Sequence, residues 1–140
     1  MLRICTNLTS KSIKTYSCRD LRNEHADTEA VDDRQSRVPG FCQEALTNLT
    51  IGVIGAGGLG GEFVRGAVKK GVGKLVIYDG DEVALSNLNR QLFTPRDLHR
   101  NKAICLARSA SRIGYMGTRL LSVPYFFQAA IERDLIQPCH

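Results

Sequence analysis

An α/β fold built on a doubly wound parallel sheet is predicted from three observations. The apolar run Leu49-Thr50-Ile51-Gly52-Val53-Ile54 leads straight into a glycine-rich turn, residues 55–61, which opens a helical pattern. A second apolar run, Lys74-Leu75-Val76-Ile77-Tyr78, ends in Asp79-Gly80-Asp81. Strand and helix patterns then alternate to the end of the chain, an order that makes a parallel sheet through crossover connections. With 140 residues the chain holds one domain with a real core, and not two.

Residues 1–33 are polar and lack sustained periodicity, which predicts a flexible N-terminal extension ahead of a nucleotide-binding domain over residues 34–140. Val38-Pro39-Gly40-Phe41 marks a turn and Gln43-Glu44-Ala45-Leu46 a short helix. The first main strand is Thr50–Ile54, apolar on both faces as in a central parallel strand. The helix that follows spans Gly58–Lys70, with Leu59, Phe63, Val64, Ala67 and Val68 as its apolar stripe. Gly71 and Gly73 end it, and Lys69 and Lys70 suit the negative end of its dipole. After strand Lys74–Tyr78, residues 82–93 read as irregular. Thr94-Pro95-Arg96-Asp97 carries a helix-start signature of hydroxyl cap, proline and acid. A helix over 101–113 buries Ala103, Leu106, Ala107, Ala110 and Ile113. A third strand covers 118–123, and a last helix 127–136 buries Ala130, Ile131 and Leu135. The predicted strand order is 3-2-1, the first half of a Rossmann-like doubly wound sheet.

Composition excludes several classes. Apolar residues make up 43% and charged residues 24%, which is ordinary for a globular domain. The net charge of +5 sits largely between Arg90 and Arg119, on loop and helix, and not in a lysine-rich tail. Solvated helix faces account for most of it, and the rest suits nucleotide phosphates, so no nucleic-acid partner is expected. The five cysteines include no C-x-x-C pair, which argues against a zinc knuckle, a thioredoxin-type motif or a disulfide framework. Lys102 and Arg108 lie one turn either side of Cys105, but no base accompanies it, and an inert thiol is expected. His99 and His140 have no partner at metal-ligand spacing. No apolar segment reads as a signal peptide or membrane span, so a cytoplasmic protein without a membrane partner is expected.

The glycine turn is the first chemical signal. Gly55 permits the tight turn, Gly57 and Gly58 bring bare backbone toward phosphate oxygens, and Gly60 lets helix and strand pack closely. Asp79 stands at the carboxyl end of the second strand, where a carboxylate accepts from ribose hydroxyls. On these residues alone, a dinucleotide-dependent dehydrogenase is the default.

The residues that follow are more specific. Tyr78-Asp79-Gly80-Asp81-Glu82-Val83, Ser86-Asn87-Leu88-Asn89-Arg90-Gln91 and Asn101-Lys102, together with the turn, resemble the ThiF/MoeB/HesA family of ubiquitin-activating-enzyme-like adenylyltransferases. That family's pattern is G-x-G-G-[LIV]-G, then D-x-D, then S-N-L-x-R-Q and a lysine. Asp33-Arg34-Gln35 with Gly40-Phe41 is similar to its R-Q…G-F lead-in, so the likeness runs from about Asp33 to the C-terminus.

The resemblance implies binding of ATP and Mg2+ and adenylation of the C-terminal carboxylate of a small ubiquitin-fold or sulfur-carrier protein. It makes Arg90 and Lys102 the cations that neutralise charge on the phosphates, with Asn87 and Gln91 as polar phosphate or ribose partners. Asp79 would hold the ribose, and Asp81 would brace the loop or act indirectly on the metal. Arg34 matches an arginine that reaches into a second subunit's site, which implies a homodimer. The family's metal-binding aspartate would fall past His140, so the expectation is the N-terminal part of a longer domain. Its first strand would then be an exposed edge, covered by another chain or by further sequence. Two other readings stay open: an NAD(P)-binding oxidoreductase fragment, and a non-catalytic subunit of a ubiquitin-like activating complex.

Overall fold

The computed structural model describes residues 2–3, 13–22, 30–132 and 137–138. In chain order its elements are β1 (Leu2–Arg3), β2 (Lys14–Ser17), α1 (Asp33–Ser36), α2 (Gln43–Thr47), β3 (Thr50–Ile54) and α3 (Gly58–Lys70). Then come β4 (Lys74–Tyr78), α4 (Lys102–Ala110), β5 (Arg119–Val123), α5 (Phe127–Glu132) and β6 (Gln137–Pro138). Short 3-10 turns at Leu85–Asn87 and Pro95–Asp97 interrupt the long connection between β4 and α4. Leu135, Cys139, His140 and the side chain of Ile131 lie outside the described residues.

The three apolar runs pair in parallel, β3 with β4 and β4 with β5, in the order expected from the sequence. The ladder continues past the strand ends through Gly55 N–H to Tyr78 C=O (2.8 Å) and Asp79 N–H to Val123 C=O (3.2 Å). The carboxyl ends of the strands are therefore level, and the loops leaving them share one edge of the sheet. Alternation divides the side chains between two faces. Leu75, Ile77 and Leu120 join Val64, Ala67 and Val68 of α3 and Ala103, Leu106 and Ala107 of α4 in the main core. Val76, Tyr78 and Val123 face the other way, onto Phe127 and Ala130 of α5. There Tyr78 and Phe127 meet edge to face at 5.3 Å.

Two features depart from the sequence reading. Within the stretch expected as a flexible extension, β2 pairs antiparallel with β5, so the sheet is mixed, in the order β2-β5-β4-β3. Its residues Lys14-Thr15-Tyr16-Ser17 carry one apolar ring, Tyr16, which packs on the core, and backbone pairing supplies the rest. Next, the apolar stripe of α3 is split. Val64, Ala67 and Val68 are buried, whereas Leu59 is 92% exposed and Phe63 is exposed beside it. A spacing of four residues puts Leu59 and Phe63 in one row, but that row looks outward. In agreement with the 3-2-1 order, β3 is an edge strand, with Ile54 67% exposed. Among the described residues, no helix is long and apolar enough to cross a membrane.

The split stripe gives a direct test. Leu75→Ala, at a fully buried position, is expected to lower unfolding stability by about 2–5 kcal/mol. Leu59→Ala is expected to change it by less than about 0.5 kcal/mol. Urea denaturation of the two variants checks both.

Candidate nucleotide-binding site

Two tight backbone contacts shape the glycine turn. Gly55 adopts φ +95°, a conformation that favours glycine. A Cβ on Gly60 would lie 1.9 Å from the Gly55 carbonyl oxygen, so a larger residue there would prise the first turn of α3 away from β3. Gly57 is the extended N-cap, and the first N–H groups of α3 leave the turn without a capping side chain.

The Asp79 carboxylate holds that turn in place. Its Oδ2 accepts the Ala56 N–H at 2.7 Å and its Oδ1 accepts the Asp81 N–H at 2.8 Å. It is 7% exposed. Asn101 fastens the same loop from α4: its Oδ1 caps the helix on Ile104 N–H, and its Nδ2 donates to the carbonyls of Asp79 (2.7 Å) and Asp81 (3.2 Å). Lys102 follows, with its stem buried and its Nζ 2.9 Å from Asp81 Oδ2. The sequence predicts Asn101 within the helix over 101–113, with no role of its own. An asparagine three residues ahead of Ile104, at the edge of an apolar periodic run, was the available signal.

The S-N-L-N-R-Q segment closes the other side. Cβ atoms on Gly57 and Gly58 would meet Gln91 Nε2 at 3.8 Å and Arg90 O at 3.6 Å, so this segment walls the glycine turn. Gln91 Oε1 is buried, with no hydrogen-bond partner among the described residues. Arg90 is exposed, with Nη1 donating to Ser86 O (2.7 Å) and Asn89 Oδ1 (3.2 Å). Asn87, expected as a phosphate or ribose partner, is buried, and its Oδ1 accepts Ala84 N–H at 3.0 Å to shape the loop. A cleft of about 380 Å³ adjoins the Asp79–Glu82 loop, lined by Gly80, Glu82, Asn101, Tyr125 and Lys14 of β2.

Gly55, Gly57, Gly58, Gly60, Asp79, Asp81, Gln91, Arg90 and Lys102 thus gather at the carboxyl ends of β3 and β4. Arg34 does not join them. Gln35 beside it donates to Lys70 O at the far end of α3, a 13-residue helix that spans roughly 20 Å. The Arg34 side chain is largely exposed, 3.9 Å from Asp33. Cys105 is buried, which pushes its thiol pKa up, and the nearby Asp97 charge adds to this while Arg108 offsets only part. Burial and the nearby carboxylate both disfavour its thiolate form.

The ThiF family profile matches residues 24–133. The chain belongs to the ThiF family. This ThiF-family chain is 34% identical over 135 residues to "Adenylyltransferase and sulfurtransferase MOCS3" of Danio rerio, a match covering 96% of the chain and 26% of that protein. It is 31% identical over 102 residues to "Ubiquitin-like modifier-activating enzyme 5" of Drosophila pseudoobscura pseudoobscura, covering 66% of the chain and 25% of the relative. The chain therefore spans about a quarter of the length of the curated relatives it matches. Among solved structures, PaaA aligns with a TM-score of 0.57 at 28% identity, over 66% of this chain and 30% of its own. E. coli MccB aligns with a TM-score of 0.57 at 23% identity, over 61% and 26%, and shares the fold.

Acid stability tests the support behind the site. Burial raises the Asp97 carboxyl pKa, but hydrogen bonds from Thr94 N–H (2.9 Å) and Oγ1–H (2.8 Å) and the charge of Arg108 more than reverse this. With its folded pKa depressed, Asp97 contributes stability that is present above the unfolded value near about 4 and is lost as pH falls through the folded value. Asp97→Asn is expected to cost about 1–3 kcal/mol at neutral pH. That difference should close as acid protonates the parent, measured by chemical denaturation across pH.

Proposed function

We propose that the glycine turn binds the phosphates of ATP, and that this chain is part of an enzyme that adenylates the C-terminal carboxylate of a ubiquitin-like or sulfur-carrier protein. The observation that carries the reading is that the Arg90 backbone and the Gln91 side chain border Gly57 and Gly58, while Lys102 is held on Asp81 of the adjoining loop. A dinucleotide cradle has the glycines and the acid, but no use for an arginine and a lysine on the loops beside them. The adenylyltransferase and activating-enzyme names of the relatives support the same reading.

In adenylation a carboxylate oxygen bonds to the α-phosphorus and the α–β phosphoanhydride bond breaks. The electron pair leaves with pyrophosphate, and a mixed anhydride with AMP remains. Negative charge shifts toward the leaving group, so fixed positive charge stabilises the transition state. The N-terminal amides and dipole of α3 supply part of it. Lys102 supplies a full charge: Asp81 takes one of the ammonium's three N–H groups and aims it, leaving two for phosphate oxygens. Arg90, tethered only through Nη1, presents the rest of its guanidinium. Asp79 keeps a second lone pair on each oxygen for a ribose hydroxyl, and Gln91 Oε1 is a further acceptor.

Mg2+ bound with a nucleotide needs only one or two protein carboxylates, since phosphates and waters fill its other positions. Among the described residues, no three His, Cys, Asp or Glu side chains lie together as a cation site. The positive charge that the described residues offer the phosphates is that of Arg90, Lys102 and α3. Arg34 stands too far from its own glycine turn to serve it, so its finger role belongs to a homodimer, in which it reaches the partner's site.

ATP–pyrophosphate exchange with a candidate carrier protein tests the reading, in this chain and in a longer form. Arg90→Ala and Lys102→Ala are each expected to lower exchange by about 10²-fold or more, with the Arg90 variant melting as the parent does. NAD binding without ATP binding would favour the oxidoreductase reading. Carrier binding without exchange in the longer form would leave a non-catalytic subunit.

A further inference from the structure

The outer face of α4 carries a second concave surface, separate from the glycine turn. A cleft of about 790 Å³ is lined by Thr94, Asp97, Arg96, Arg100, Arg108 and Arg112, together with Pro95 and Ser109. None of these residues belongs to the turn, to Asp79–Asp81 or to the Arg90–Gln91 wall. Asp97 is the single acid in the lining, and it is already committed to Thr94 and to Arg108 at 2.6 Å. Arg96, Arg100 and Arg112 are exposed, and their side chains have no ion-pair or hydrogen-bond partner among the described residues. Three uncompensated guanidiniums around one cleft repel one another, and a polyanion relieves that repulsion.

A smaller notch of about 170 Å³ adjoins the cleft and shares Ser109 with it. Leu92, Leu106, Ala110 and Ile113 make most of its wall apolar, with Arg65, paired to Glu62, as its one charged residue. We propose that cleft and notch together bind an acidic peptide segment carrying one apolar side chain, with its carboxylates on the arginines and the apolar group in the notch.

The chemistry favours this occupant over other anions. Guanidinium forks pair with carboxylates in two-point geometry. The Asp97 bond fixes Arg108 as a rigid reference point, while the three exposed arginines adapt around it. A lone phosphate is far smaller than the cleft and gains nothing from an apolar notch. Single-stranded nucleic acid gains most from aromatic stacking platforms, and no aromatic ring lines either hollow. An acidic segment with one apolar anchor matches both the charge and the notch.

Fluorescence anisotropy with the 140-residue chain and a short labelled peptide, glutamates and aspartates flanking one leucine, tests the proposal. Saturable binding is expected, weakening about tenfold when salt rises from roughly 50 to 200 mM. Replacing the peptide's leucine with serine is expected to weaken binding by about tenfold or more. Combining Arg96→Glu with Arg112→Glu should weaken it by about tenfold or more, with the melting temperature and ATP binding retained. No binding, unchanged binding by the double variant, or equal binding of the serine peptide would overturn it. So would tighter binding of tripolyphosphate or a single-stranded oligonucleotide that displaces the peptide.

Discussion

The Asp79 carboxylate accepts one N–H from the glycine turn after β3 and one from the loop after β4. A buried acid in that position is stable only because both oxygens are hydrogen-bonded by the backbone. The level carboxyl ends of the parallel strands bring those two amides within its reach. Without this clamp, the turn and the Asp79–Asp81 loop would be two independent irregular segments at the sheet edge. With it, Asn101 has fixed carbonyls to donate to, and capping α4 and bracing the loop become one arrangement.

Charge is ordered by the same framework. Lys102 is the first residue of α4, and its ammonium would ordinarily be unfavourable near the positive end of a helix dipole. The Asp81 carboxylate compensates it and directs it at once. The result is a cation held by a buried stem, close to helix amides that themselves attract anions. Arg90 takes the opposite solution, remaining exposed and tethered to its own loop through Ser86 and Asn89. One charge is preorganised and the other is adaptable, and the two stand on different elements at the same end of the sheet.

Much of this was legible in the sequence, for physical reasons that also explain the failures. The bounds of β3, α3 and β4 follow directly from buried apolar runs punctuated by glycine. The loops that carry the glycine turn, Asp79, Arg90 and Lys102 lie at one end of the sheet because the parallel order puts them there. The strand β2 was not legible: an edge strand needs backbone partners more than apolar side chains, and Lys14-Thr15-Tyr16-Ser17 offers a single apolar ring. Leu59 and Phe63 were misassigned because periodicity reports that a row exists and not which way it faces. Asn87 turned inward because a short polar side chain next to a 3-10 turn competes well for a backbone amide. Arg34 lies far from the turn because its helix docks on the C-terminal end of α3.

The clamp is the central claim, and hydrogen exchange of Asp79→Ala, read with and without ATP, tests it most directly. Loss of protection is expected at Ala56 and Asp81, with loss of ATP binding, while the β4 amides of Leu75 and Ile77 remain protected. Unchanged ATP binding by a folded Asp79→Ala chain would contradict the account.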